Sequence, residues 1–283
     1  MGGTSGLLRD GLRPLRSDLL ETLLAAPSRG VRELPDRPGK FSWSAVYHPG
    51  MESARVEPPT AQAIRTFKYR RGRATSGQQR ALDELWPAYG VDVAGTPPDW
   101  AAVFGRTAPL VLEIGFGMGD ATVAMAQADP GRDVIAVDVH TPGVGSLLHR
   151  LAGAGLRNIR VVVGDALPVI EQMVPPGSLD EVRVYFPDPW PKTRHRKRRL
   201  VGQQFAALVA DRLVAGGRLH WATDWAPYAE QMIEVVAAEP LLDNVHDGFA
   251  PRPAERSVTR YERIGLARGH QVYDVIAVRR PAS

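Results

Sequence analysis

Leu112-Glu113-Ile114-Gly115-Phe116-Gly117-Met118-Gly119-Asp120 is the stretch on which the fold of this chain turns. An apolar run of strand length, Pro109–Glu113, feeds three glycines on alternate positions, and a helical pattern follows at Ala121–Gln127. Glycines there allow a tight strand-to-helix turn and let the backbone approach a ligand closely. A dinucleotide-binding turn of the form G-x-G-x-x-G would place glycine at position 120, where Asp120 stands. An acid at that helix start repels a pyrophosphate. It also serves as a helix cap, for which Asp is a preferred residue.

Further along the chain the same unit repeats. Val134–Val139, Ile159–Val163, Val182–Phe186 and Arg218–Thr223 are strand-length and largely unbroken, as in parallel strands covered on both faces. Helical patterns lie between them at Val144–Leu151, Ala166–Met173, Leu200–Val214 and Tyr228–Ala238. The alternation predicts an α/β fold: a doubly wound, mostly parallel, Rossmann-like sheet with ligands at the C-terminal edges of its strands. Val272–Val278 is expected as a late antiparallel strand.

Acids close three successive strands. Glu113 ends the first. Asp138, 23 residues after Gly115, is placed to accept from both ribose hydroxyls of a nucleoside. Asp165 follows the third strand, where a carboxylate can accept from an adenine amino group; each could also serve as a turn or cap residue. S-adenosylmethionine (AdoMet) carries a sulfonium and an ammonium and no phosphate, so it tolerates such carboxylates.

The 283 residues contain no cysteine, which excludes disulfides, Cys-based zinc sites and iron–sulfur clusters and suits a reducing cytoplasm. No pair of histidines has zincin spacing, no phosphate loop or nucleophile elbow is present, and no metal is expected. No stretch approaches the roughly 20 apolar residues of a membrane span, so no membrane partner is expected. Residues 1–60 hold seven prolines and eight Lys plus Arg against seven Asp plus Glu, and read as a flexible extension to a domain spanning 61–283. Arg65, Lys68, Arg70, Arg71, Arg73 and Arg80 then supply six positive charges without an intervening acid, which favours phosphate contact over a merely solvated face.

Tyr185-Phe186-Pro187-Asp188-Pro189-Trp190-Pro191 is the most unusual local feature. Residues before proline are pushed towards extended backbone and proline fixes its own φ, so the alternation stiffens the loop and holds Asp188 in one orientation. Lys192-Thr193-Arg194-His195-Arg196-Lys197-Arg198-Arg199 follows, with six Lys or Arg in eight positions. Cations oppose the dipole at a helix start. A phosphate backbone is the simpler reason for them.

From Ile64 to Val278 the chain resembles the bacterial tRNA (guanine-N7-)-methyltransferase family. The likeness rests on Leu112–Gly119, Val139–Gly145, Phe186–Arg199, Ala222–Ala229 and Ser257–Gly265 in that order. It implies a class I methyltransferase fold, AdoMet contacts from Glu113, Gly115, Gly117, Asp138, Asp165 and Asp188, and Asp188 as the catalytic residue. It also implies substrate contacts from Lys192, Asp224, Thr259, Arg260, Tyr261 and Glu262, and tRNA contacts from Arg194, His195, Arg196, Lys197, Arg198 and Arg199; a monomer or homodimer is expected, the sequence leaving the choice open. Two positions depart from the family pattern: Asp138 stands where Glu is usual, and Thr-Lys-Phe-Glu becomes Thr259-Arg260-Tyr261-Glu262. Arg for Lys alters hydrogen-bond geometry. The variable-loop guanine as target is implied by analogy alone.

Guanine N7 carries an in-plane lone pair and no proton, so its methylation needs no base. Asp188 is then expected to position the base and stabilise the cation forming on the purine. An exocyclic-amino RNA methyltransferase is one alternative, but such enzymes usually follow the Asp-Pro with Pro and an aromatic, whereas Trp190 comes directly after Pro189. A non-catalytic AdoMet-fold RNA-binding protein is another, opposed by the intact acids. A nicotinamide dehydrogenase is disfavoured by the glycine spacing.

Overall fold

The computed structural model describes residues 66–67, 73–93 and 95–281. The extension at 1–60, and Arg65, Lys68, Arg70 and Arg71 of the basic segment, lie outside the described residues. Two helices precede the first strand: α1 (Ser76–Tyr89) and α2 (Trp100–Phe104). The alternating pattern then runs β1 (Leu110–Ile114), α3 (Asp120–Ala128), β2 (Asp133–Asp138), α4 (Thr141–Ala154), β3 (Ile159–Val163), α5 (Ala166–Met173) and β4 (Leu179–Tyr185). A 3₁₀ helix at Thr193–Arg198 comes next, then α6 (Gln203–Arg212), β5 (Leu213–Thr223), α7 (Ala226–Ala238), β6 (Leu242–Asn244), α8 (Arg260–Leu266) and β7 (Tyr273–Arg279).

Seven strands form one sheet in the order β3-β2-β1-β4-β5-β7-β6. β1 to β5 are parallel, and β7 runs antiparallel to both β5 and β6. The order reverses between β1 and β4, which is the switch point where a doubly wound sheet opens a crevice for ligands. The expected late antiparallel strand is present, at Tyr273–Arg279.

α1 was not expected, although its signal is local. Thr75 and Gln78 make a capping box: the Gln78 N–H donates to Thr75 Oγ1 (3.3 Å) and the Thr75 N–H to Gln78 Oε1 (2.9 Å). Ala81, Leu82, Trp86 and Tyr89 form its buried stripe. The sequence places the start of the core near Ala108; the structure begins it at α1.

The two faces of the central strands are unlike. Leu112, Ile114, Val182, Val184, Leu219, Trp221, Val275 and Ala277 join one apolar core with residues of α5, α6 and α7, including Ile170, Phe205, Val209 and Met232. On the opposite face β4 presents Glu181, Arg183 and Tyr185, and β5 presents Arg218 and His220. Glu181, Arg183 and His220 are buried nonetheless.

Candidate active site

Parallel pairing brings the C-terminal ends of β1 to β5 to one edge, and with them the expected acids. Gly115 and Gly117 lie at φ 79° and 60°, left-handed backbone in which a side chain is strained. A Cβ on Gly143 of α4 would come within 2.1 Å of the Gly117 carbonyl oxygen, so that glycine lets the helix seat directly under the turn. Asp138 ties the turn to the end of β2: Oδ2 accepts from the Gly117 N–H (2.9 Å) and Oδ1 from the His140 N–H (2.9 Å). Burial raises the Asp138 carboxyl above its ordinary value, and those backbone bonds oppose the rise. Asp165 caps α5, accepting from the Leu167 N–H (3.2 Å). Asp120 is not the cap of α3, a place taken by Gly119. It lies in the first turn and pairs with Arg150 (2.7 Å), a favourable position for an acid beside the helix dipole.

Glu113 points away from the apolar core. Its Oε1 accepts from Thr122 Oγ1 (2.8 Å), and its Oε2 is buried without a hydrogen-bond partner. Burial pushes the carboxyl up to about 7, against the opposing pull of Arg183 and Thr122. A buried carboxylate with an unmatched oxygen beside a glycine turn suits a cationic ligand. The carboxylate acceptors of this edge therefore fit AdoMet, whose ammonium and ribose hydroxyls donate and whose sulfonium is cationic.

The proline loop departs from the simple expectation. Phe186 and Trp190, each ahead of a proline, have φ 54° and 42° rather than extended backbone. Such conformations cost on the order of 1–3 kcal/mol each and persist where the surroundings over-determine them. Here the Phe186 N–H donates to the Ala222 carbonyl (2.7 Å), and the buried Trp190 donates through Nε1 to the Thr66 carbonyl (3.1 Å). Arg198 stacks 3.7 Å from the centroid of the Trp190 ring, and the His195 ring meets that indole edge-on at 5.9 Å. Asp188, half-buried, is carried on the segment between these fixed points.

Basic residues after the loop divide by direction. Lys192, Arg194, Arg196 and Lys197 are exposed, and His195 and Arg198 are half-buried. Arg199 corrects the expectation of an RNA contact. It is buried, its Nε donates to the Pro189 carbonyl (2.8 Å), its Nη1 to Gln231 Oε1 (2.5 Å), and its guanidinium lies over the Tyr228 ring at 4.6 Å. It braces the Asp188 loop from within.

Asp224 stands directly after β5, where Oδ2 accepts from the Tyr261 hydroxyl (3.2 Å) and pairs with His270 Nδ1 (3.2 Å). The Phe186 and Tyr261 rings lie 5.4 Å apart, inclined at 52°. Thr259 caps α8 in a second capping box with Glu262, and Arg260 is exposed. Glu262 also departs from expectation: it is 1% exposed, and both its oxygens accept from Arg256 (2.7 Å each). The Arg256 side chain pairs in turn with Asp274 (2.8 Å), whose Oδ1 meets His220 Nε2 (2.7 Å). His220 Nδ1 faces the Tyr185 hydroxyl (3.2 Å). A carboxylate only accepts, so Nε2 carries the hydrogen of that bond; burial shifts the imidazole pKa downward, against the opposing pull of Asp274.

Arg256, His270 and Phe186 went unremarked in the sequence as site residues. The alternation Glu181-Val182-Arg183-Val184-Tyr185 does signal a strand with one polar face. Nothing local shows that Arg256 and His270 return to that face.

A glycine turn after β1, acids closing β1, β2 and β3, and a proline-braced acid after β4 on a seven-stranded sheet with an antiparallel β7 define a class I AdoMet-dependent methyltransferase. Residues 107–275 match the family model described as "Putative methyltransferase". A tRNA (guanine-N(7)-)-methyltransferase of Paraburkholderia xenovorans is 53% identical over 219 residues, covering 77% of this chain and 84% of its own. One of Streptomyces avermitilis is 54% identical over 215 residues, covering 75% and 74%. The chain belongs to the tRNA (guanine-N7-)-methyltransferase family.

Proposed function

We propose that this protein transfers the methyl group of AdoMet to N7 of a guanine in tRNA, the variable-loop guanine being the target by family analogy, as a cytoplasmic enzyme. The observation that carries this reading is the juxtaposition of three groups at the C-terminal ends of β4 and β5. They are Asp188 on its braced loop, the exposed cations Lys192, Arg194, Arg196 and Lys197, and the Asp224–Tyr261–Phe186 cluster.

Glu113, Gly115, Gly117, Asp138 and Asp165 would hold AdoMet, which when bound supplies an electrophilic methyl on its sulfonium. The exposed basic residues take the phosphate backbone, a sequence-independent attraction that falls with salt. Asp188 orients the base so that the N7 lone pair lies in line with the methyl. It also stabilises the positive charge that grows on the purine as the new N–C bond forms and the C–S bond breaks. Because N7 carries no proton, Asp188 acts by charge and position rather than as a base. Arg199 preserves that geometry through the Pro189 carbonyl.

The test is methyl transfer from labelled AdoMet to unmodified tRNA, with nucleoside analysis of the product. Wild type should yield 7-methylguanosine, and Asp188→Ala should lower the rate on the order of 10²-fold or more. An N-methylated exocyclic amine as product would overturn the N7 assignment. Full activity in Asp188→Asn would overturn the charge role.

A further inference from the structure

β7 enters the sheet antiparallel beside β5, with Tyr273 opposite Thr223. That pairing returns the chain from α8 to the catalytic edge, three residues after His270 and directly beside Asp224. His270 is built into this corner. Its N–H donates to the Gly265 carbonyl at the end of α8 (3.0 Å), while its Nδ1 meets Asp224 Oδ2 (3.2 Å). Gly265 lines the same corner, its Cβ position lying at van der Waals distance from His270 Nδ1 (3.5 Å) and Asp224 Oδ2 (3.8 Å).

Both side-chain bonds to Asp224, from Tyr261 and from His270, fall on Oδ2. Two donors on one oxygen fix the plane of the carboxylate and leave Oδ1 as the acceptor for an incoming group. The tilted pair Phe186 and Tyr261 stands beside it, aromatic surface of the kind on which a splayed-out base stacks.

We propose that His270 is a positioning residue for the methyl-acceptor base, an inference that rests on the tRNA guanine reading above. With Tyr261 it holds Asp224 so that Oδ1 accepts from the N1–H and N2–H₂ edge of guanine while the opposite edge, bearing N7, is presented for methylation. Adenine offers an acceptor at N1 and is refused. Hypoxanthine keeps N1–H and N7 but lacks the amino group, so it is the sensitive probe of this edge.

The experiment compares kcat/KM for tRNA carrying guanine with that for tRNA carrying inosine at the methylated position. The proteins are wild type, His270→Ala, His270→Asn, Tyr261→Phe and the His270→Ala/Tyr261→Phe double variant. His270 and Tyr261 are 48% and 52% exposed, so their replacement leaves the core untouched. Wild type should favour guanine by roughly tenfold, the worth of one hydrogen bond to a charged group. His270→Ala should raise KM for tRNA several-fold and erode the preference with AdoMet affinity unchanged. His270→Asn, whose amide can replace the Nδ1 donor, should recover most of both. The double variant should be little worse than either single one, because both act through one carboxylate.

A His270→Ala enzyme with wild-type KM and wild-type preference overturns the proposal. So do effects that multiply as independent, or equal wild-type use of guanine and inosine. Failure of the underlying reading shows separately, as the absence of 7-methylguanosine from wild-type product.

Discussion

The two faces of the central strands are equally dry but made of different material. Towards α5, α6 and α7, Leu112, Val182 and Leu219 are each 0% exposed in a wholly apolar core. Towards α3 and α8 the same strands bury Glu113, which accepts from Thr122, the Glu181–Arg183 ion pair, and His220 and Asp274, the last two joined to Arg256 and through it to Glu262. Buried ion pairs return little net stability, because desolvation offsets their attraction. An apolar face would serve stability as well. What the polar face does is bind α8, which carries Tyr261, to the sheet edge where Asp188 and Asp224 stand. It also sets Glu113 in a low-dielectric place beside the glycine turn. One face makes the fold stable; the other decides where the site residues sit.

The contrast is sharpest under substitutions that keep volume. Arg256→Met leaves Glu262 and Asp274 buried without their cation and should cost about 3–5 kcal/mol in urea unfolding. Leu112→Met, on the apolar face, should cost less than about 1.5 kcal/mol. Equal costs would show that the polar face is not an ionic set.

A second test uses pH. The Glu113 carboxyl titrates near 7 in the folded chain against 4.5 ordinarily. Its contribution to stability is therefore complete below about 4.5 and is lost as the pH rises through about 7. AdoMet, which favours the ionised form, should bind wild type up to about tenfold more weakly per unit as the pH falls below 7. Calorimetry should find the Glu113→Gln enzyme nearly flat over that range. A slope equal to wild type would remove Glu113 from the cofactor site.

The smallest expected effect separates two neighbours that look alike in sequence. Arg199→Lys loses the fork on the Pro189 carbonyl and Gln231 and should lower kcat roughly tenfold, with KM for tRNA and its salt dependence intact. Arg196→Ala should raise KM and reduce the slope of log affinity against log salt by about one, with kcat intact. If Arg199→Lys instead flattened the salt dependence, Arg199 would belong to the RNA surface after all.

Legibility followed the range of the forces involved. β3 and α5 fall where apolar runs and punctuating glycines put them, at Ile159–Val163 and Ala166–Met173, because periodicity and turn chemistry act within a few residues. α8 and β6 were not expected. α8 is seven residues long and leaves Tyr261, Ile264 and Leu266 exposed, so it carries no apolar stripe to read. Glu262 and Arg199 are charged residues in charged surroundings, which read as surface. Only the return of α8 and β7 to β5, and the turn of the chain under Pro189, bury them.

By itself the sequence determined the α/β order, the glycine turn, the acids closing β1 to β4 and the cationic run after Asp188. Each is a matter of residue type at short spacing. Tertiary structure alone decided which cations face solvent and which brace the loop. It placed two pre-proline residues at positive φ, and it set His270 and Tyr261 on one oxygen of Asp224. The two contacts on Asp224 join residues 37 and 46 positions apart, and the Arg199–Gln231 contact spans 32, separations at which tertiary packing rather than local propensity brings residues together.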